Sequence, residues 1–191
     1  NDFLNSQFDS PVFLNIDVMD YNVRIDGRKA NFNDFINNPS EYKSSFMKYA
    51  KHTDIYIAGH YYGSGAPYLF TRNDVKSSDF NISVVADVSC DIDGPVATTI
   101  RPSIITDPIY GYNPKTEKED NYMKDGVVAV MAVDNLPCEL PKDSSEDFGE
   151  HLIDSIIPII TINNNIIEGA TICEKGDLTK NYEYLRDFIT S

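Results

Sequence analysis

Two runs of almost unbroken apolar residues, Ile82–Val88 and Val127–Val133 (VVAVMAV), limit what this chain can fold into. Short Val-rich runs of this kind are strands, and near-continuous apolarity predicts strands covered on both faces, as in a parallel sheet. Ile55–Ala58 is a third such run. Val12–Val18 (VFLNIDV) also reads as a strand, with Val12, Leu14, Ile16 and Val18 on one face. Asp26-Gly27 predicts a hairpin turn joining Tyr21–Ile25 to Arg28–Phe32.

Helical patterns separate these runs. One covers Asp34 to Ala50, interrupted at Asn38-Pro39, with Phe46, Tyr49 and Ala50 on a shared face. Thr71 and Asp74 have capping-box spacing for a short helix. The longest helix is predicted from Asp143, with Phe148, Leu152, Ile153, Ile156 and Ile157 as its apolar stripe and Pro158 disturbing its end. Ile166–Ile172 reads as a strand or extended arm, and Asp177–Ile189 as a small amphipathic helix through Leu178, Tyr182, Leu185 and Phe188. Short buried strands alternating with helices predict an α/β domain on a mainly parallel sheet. Asp91–Asp125, with four prolines and no helical period, is too long for a plain connection and predicts a functional or inserted segment.

Composition narrows the function classes. At 191 residues, 41% hydrophobic and 24% charged, the chain suits one large domain or one domain with an appendage, and disorder is excluded. Its 16 basic and 30 acidic residues give a net charge of −14, which repels phosphate backbones and anionic lipid; no nucleic-acid or membrane partner is expected. Cys90, Cys138 and Cys173 form neither a CxxC pair nor a disulfide framework, and no apolar run reaches membrane-spanning length. A cytoplasmic location follows as the expectation. The first residue is Asn1 rather than Met, so the chain is expected to be a processed or excised piece.

Ligands on parallel sheets sit beyond the carboxyl ends of the strands. Gly59-His60-Tyr61-Tyr62 follows the first buried strand, Ser89-Cys90-Asp91 the second, and Asp134-Asn135-Leu136-Pro137 the third. Each turn is polar, and their shared position predicts a site. Other motifs fail on spacing. Gly63-Ser64-Gly65 would need its third phosphate-loop glycine at Tyr68, and a calcium loop from Asp87 would put Ile92 where glycine belongs. His52, His60 and His151 lack metal-ligand spacing, so no metal is expected. No Gly-x-Ser-x-Gly elbow supports a hydrolase.

ADVSCDIDG (Ala86–Gly94), TTIRPSIITDPIYGYNP (Thr98–Pro114) and VMAVDNLPCELPKDSSEDFGEHL (Val130–Leu152) resemble the saccharopine-forming lysine–2-oxoglutarate reductases of the alanine dehydrogenase and transhydrogenase superfamily. Asn37–Asp74 resembles the segment preceding those motifs. The resemblance implies a partial Rossmann-like domain over residues 1–140, then over 141–191 a crossover helix and the returning part of a substrate domain. It implies NAD or NADP as cofactor, with an amino acid and a 2-oxo acid as substrates condensed and reduced through an imine. It assigns Asp91 to the nicotinamide and substrate, Asp134, Asn135 and Leu136 to the nicotinamide ribose, and Gly59, His60 and Tyr61 to the adenosine side. Cys90 and Cys138 take packing roles.

The family's glycine-rich loop and its catalytic Lys and His do not occur in this sequence. The resemblance therefore implies a carboxyl-terminal half, inactive alone, that pairs with an amino-terminal half or self-associates. Alternatives on the same scaffold are an alanine dehydrogenase, an opine-type dehydrogenase, or a non-catalytic binding or regulatory module.

Overall fold

The computed structural model describes residues 6, 8–63, 65–162 and 164–189; Asn1 and Ser64 of the sequence reading lie outside the described residues. The chain divides into two compact units, Asn1–Leu136 and Pro137–Ser191. The first contains α1 (Val18–Tyr21), β1 (Asn22–Arg24), α2 (Phe32–Asn37), β2 (Tyr42–Ser44), α3 (Met47–Ala50) and β3 (Ile55–Ala58). It continues through α4 (Arg72–Val75), β4 (Val84–Asp87), β5 (Ile109–Asn113), β6 (Lys118–Asp120) and β7 (Val128–Met131).

The three apolar runs are β3, β4 and β7, adjacent and parallel in a five-stranded sheet of order β3-β4-β7-β5-β6. The expected α/β, Rossmann-like arrangement is present. Asp91–Asp125 supplies β5 and β6, an antiparallel hairpin that pairs through β5 with β7.

Register fixes what each face carries. Tyr56, Val85, Val130 and Tyr110 lie in one row, and Val85 and Val130 are fully buried. Against this face pack Phe46 and Phe70, whose rings meet each other at 5.8 Å and that of Tyr56 at 4.8 and 6.2 Å. The other face carries Ile57, Ala86, Met131 and Ile109 in one row and Ile55, Val84 and Ala129 in the next. There Ile55 is 61% and Ile57 60% exposed. The expectation of strands covered on both faces therefore holds only in part: on this second face the edge strand β3 is open and Val84 is 38% exposed, whereas Ala86, Ala129 and Met131 of β4 and β7 are half-buried.

Other expectations are corrected locally. Residues 11–17 form no strand, and Val12, Phe13 and Leu14 are exposed. An extended run becomes a strand only where a neighbour takes its N–H and C=O groups, and no described segment pairs with this one. The Asp26-Gly27 turn exists, but β1 pairs with β2 rather than with Arg28–Phe32. The Asp34–Ala50 helix is broken by a 3-10 turn at Pro39–Glu41 and by β2, leaving α2 and α3. Phe46 and Ala50 face the core as expected. Thr71 caps α4 with the expected box, its side chain accepting from Asp74 N while Asp74 accepts from Thr71 N at 2.7 Å.

In the second unit α5 (Pro141–His151) starts two residues before Asp143, because Pro141 is preset for a first helical position. It runs on as a π-helical turn, Leu152–Ile156, and ends in a 3-10 turn, Ile157–Ile159, around Pro158. Its stripe is largely exposed, Phe148 by 69%. The expected arm at Ile166–Ile172 is instead α6 (Asn165–Ala170), since Asn164 caps it through the N–H groups of Ile166 and Ile167. Asp177–Ile189 divides into β9 (Asp177–Leu178), which pairs with β8 (Cys173–Glu174), a 3-10 stretch, and α7 (Arg186–Ile189). Among the described residues no helix is long and apolar enough to cross a membrane.

Candidate functional site

The turns after β3, β4 and β7 leave adjacent parallel strands, so topology brings them to one end of the sheet. Side chains join them. His60 Nδ1 lies 3.5 Å from Ser89 Oγ, linking the first turn to the second. The Cys90 thiol donates to Ala132 O at 3.1 Å, linking the second to the end of β7.

The middle turn is built tightly. Cys90 and Asp93 both hold positive φ, 53° and 52°, which L residues adopt at a cost. Asp87, fully buried at the end of β4, accepts from Cys90 N at 3.1 Å and from Thr99 Oγ1 at 2.6 Å. Thr99 O in turn accepts from Asp93 N at 3.0 Å. A Cβ on Gly94 would lie 2.6 Å from Asp91 Cβ and 2.7 Å from Asp91 O, so the turn closes only over glycine. Below it, the buried Tyr110 hydroxyl donates to Thr98 O and accepts from Ile100 N, both at 3.0 Å.

Electrostatics follows from burial. Burial lowers the His60 imidazole pKa, and Asp87 and Asp91 offset part of that. Burial raises the Cys90 thiol, and the charges of Asp87, Asp134 and Asp91 raise it further. A thiol held protonated is not a nucleophile; Cys90 packs half-buried against the core, as expected. Cys138 is exposed, against the packing role expected of it.

Beside the first turn a cavity of 190 Å³ opens between the Val18–Pro39 segment and the Gly59–Leu69 loop. Its wall is mostly apolar or aromatic, including Tyr21, Phe35, Ile36, Tyr61, Tyr62 and Leu69. Two of its residues carry buried polar atoms with no partner, Asn22 Oδ1 and His60 Nε2. Asn22 is 3% exposed, and its amide Nδ2 donates to Val18 O at 2.9 Å. Such atoms cost free energy unless a ligand or water meets them.

His60 and Tyr61 line the cavity, and Gly59 leads into it. Asp91 is half-buried in the second turn; Asp134 and Asn135 are exposed in the third, and Leu136 opens a 3-10 turn. Asn22 and Thr99 were missed in the sequence. Nothing at Asn22 marks it, because its partnerless oxygen depends on a cavity between distant segments. Among the described residues no group of three or more His, Cys, Asp or Glu is placed to hold a metal ion.

Residues 12–181 match the family model described as alanine dehydrogenase/PNT, C-terminal domain. The chain is similar to alpha-aminoadipic semialdehyde synthase of Arabidopsis thaliana, 27% identical over 161 residues, covering 80% of this chain and 15% of that protein. The mouse protein named alpha-aminoadipic semialdehyde synthase, mitochondrial, is 26% identical over 176 residues, covering 78% of this chain and 19% of that one. Saccharopine dehydrogenase (NAD(+), L-lysine-forming) of Schizosaccharomyces pombe is 30% identical over 117 residues, covering 59% and 29%. The chain thus spans between 15% and 29% of the length of these relatives.

Proposed function

Since the chain belongs to the alanine dehydrogenase/PNT C-terminal domain family, we propose that it is the nucleotide-facing part of a nicotinamide-dependent oxidoreductase of saccharopine type. The reaction is the reductive condensation of lysine with 2-oxoglutarate, or its reverse. Residues 1–140 serve the nucleotide, and 141–191 are the crossover helix and the returning segment of the substrate domain.

The observation that carries this reading is the cavity beside β3. A flat aromatic base with hydrogen-bonding edges suits a largely apolar cavity, two of whose lining residues, Asn22 and His60, keep an amide oxygen and an imidazole nitrogen buried without a partner. On binding, a rotation of each side chain toward the cavity brings Asn22 Oδ1 to an exocyclic amino group and His60 Nε2 to a ring edge. Gly59, His60 and Tyr61 thus hold the adenosine end, whereas Asp134, Asn135 and Leu136 stand toward the nicotinamide ribose. When bound, the cofactor supplies or accepts the hydride. Asp91 faces the reacting centre, where its carboxylate favours the cationic imine over neutral carbonyl and amine.

Nicotinamide oxidation by the complete gene product, with lysine and 2-oxoglutarate and with NADH and NADPH separately, tests the proposal. Lysine-dependent turnover supports it and chooses the cofactor. Turnover only with another amine, or with pyruvate and ammonia, moves the substrate assignment to the opine or alanine branch. Nucleotide binding without turnover by any pair overturns it in favour of a binding module. His60→Ala is expected to weaken dinucleotide binding about tenfold, the loss of one hydrogen bond to a buried group, read by fluorescence titration.

A further inference from the structure

We infer that Asp87 is the positioning residue of this site, one half of a clamp with Thr99 that fixes the turn carrying Asp91. The inference rests on the function proposed above.

A strand's alternation places Asp87 on the same face as Val85, against the core, and both are fully buried. A carboxylate in that position is costly unless it is hydrogen-bonded. None of the ion pairs among the described residues includes Asp87, so no cation offsets it. Its stabilisation comes from two donors, Thr99 Oγ1 and Cys90 N.

Those donors explain its place. Through Cys90 N, Asp87 grips the entrance of the turn at the residue with a φ of 53°. Through Thr99 it grips the exit, because Thr99 binds Asp87 by its hydroxyl and Asp93 N by its carbonyl. Asp91 lies between the two grips, and its own carbonyl accepts from Gly94 N at 3.0 Å. Thr99 is itself fully buried, so the clamp is anchored in the core. A side chain held this way from below has one evident task, which is to set where Asp91 stands.

The test is a set of variants of the complete gene product: Asp87→Ala, Asp87→Asn and Thr99→Ala, each alone and combined with Asp91→Asn. Asp87→Ala and Thr99→Ala are expected to lower kcat about 100-fold, the scale of an ångström's misplacement, with dinucleotide Kd changed less than about twofold. Combined with Asp91→Asn they are expected to add nothing, because they act through Asp91. Asp87→Asn keeps an acceptor for Cys90 N and offers a donor to Thr99 Oγ1, so it is expected to recover most of kcat.

Losses that persist undiminished beside Asp91→Asn overturn the inference, as does an Asp87→Asn variant as slow as Asp87→Ala. If Asp87→Ala does not fold, Thr99→Ala and Asp87→Asn carry the same comparison. A wild-type protein that turns over while the losses are additive sinks this inference alone. A wild-type protein that turns over no amine and 2-oxo acid sinks the proposed function and the inference together.

Discussion

Cys90 is half-buried with three carboxylates acting on it, and the three cysteines should separate by reactivity in consequence. Burial and the charges of Asp87, Asp134 and Asp91 keep its thiol protonated, while Cys138 and Cys173 are exposed. A disulfide reagent at neutral pH is expected to label those two first and Cys90 at least about tenfold slower, following thiolate fraction and access. Arg24 makes a second prediction. Its buried guanidinium pairs with Asp26 at 2.7 Å and with Asp34 and Glu41, and lies 5.5 Å from the Tyr42 ring centre. A hydrogen bond from Arg24 holds Asp26 far below its ordinary value, and one from Tyr42 leads in lowering Asp34. Carboxylates depressed by folding add stability above their unfolded pKa of 3.8 and lose it as pH falls below that. His60, lowered from 6.5, acts earlier: its stabilisation is complete above 6.5 and declines as pH falls, since the unfolded chain takes the proton first. Thermal melts are therefore expected to fall in two stages on acidification, the upper absent in His60→Ala and the lower reduced in Arg24→Met.

Elements were legible where their own residues decided them. β3, β4 and β7 announce themselves as apolar runs, and the Thr71–Asp74 box needs nothing beyond four residues. Elements that depend on a neighbour were not legible. Val12–Val18 has a strand's composition without a strand's partner, and the isoleucines of α6 suggest extension until Asn164 is seen to cap them. The site divides in the same way. The three turns follow from strand ends, whereas the Asp87–Thr99 clamp closes across 12 residues of sequence that no local pattern connects. Gly111 belongs here as well. A Cβ on it would lie 2.5 Å from Asp120 O and 2.6 Å from Val127 Cγ1, so β5 and β6 approach only over glycine. Gly111→Ala is expected to destabilise the hairpin by about 1–3 kcal/mol, read from urea unfolding, because the crowding falls on backbone. An unchanged midpoint would show that β6 can move away freely.

For the whole molecule the two faces of the sheet matter most. One is buried under aromatic residues, and the other presents Ile55 and Ile57 to solvent together with Val84 and Ile109. The isolated chain is expected to bind an apolar dye and to self-associate, read by light scattering at micromolar concentration. A monodisperse monomer that leaves the dye dark would contradict this. The two edges of the sheet also differ. β6 is three residues long and wholly charged, Lys118-Glu119-Asp120, which discourages an incoming strand, whereas β3 is the uncharged Ile55-Tyr56-Ile57-Ala58. In the language of polymer growth, such a sheet is monofunctional. Two copies joined through β3 leave only charged ends, so growth by that route terminates at the pair instead of propagating into a fibre.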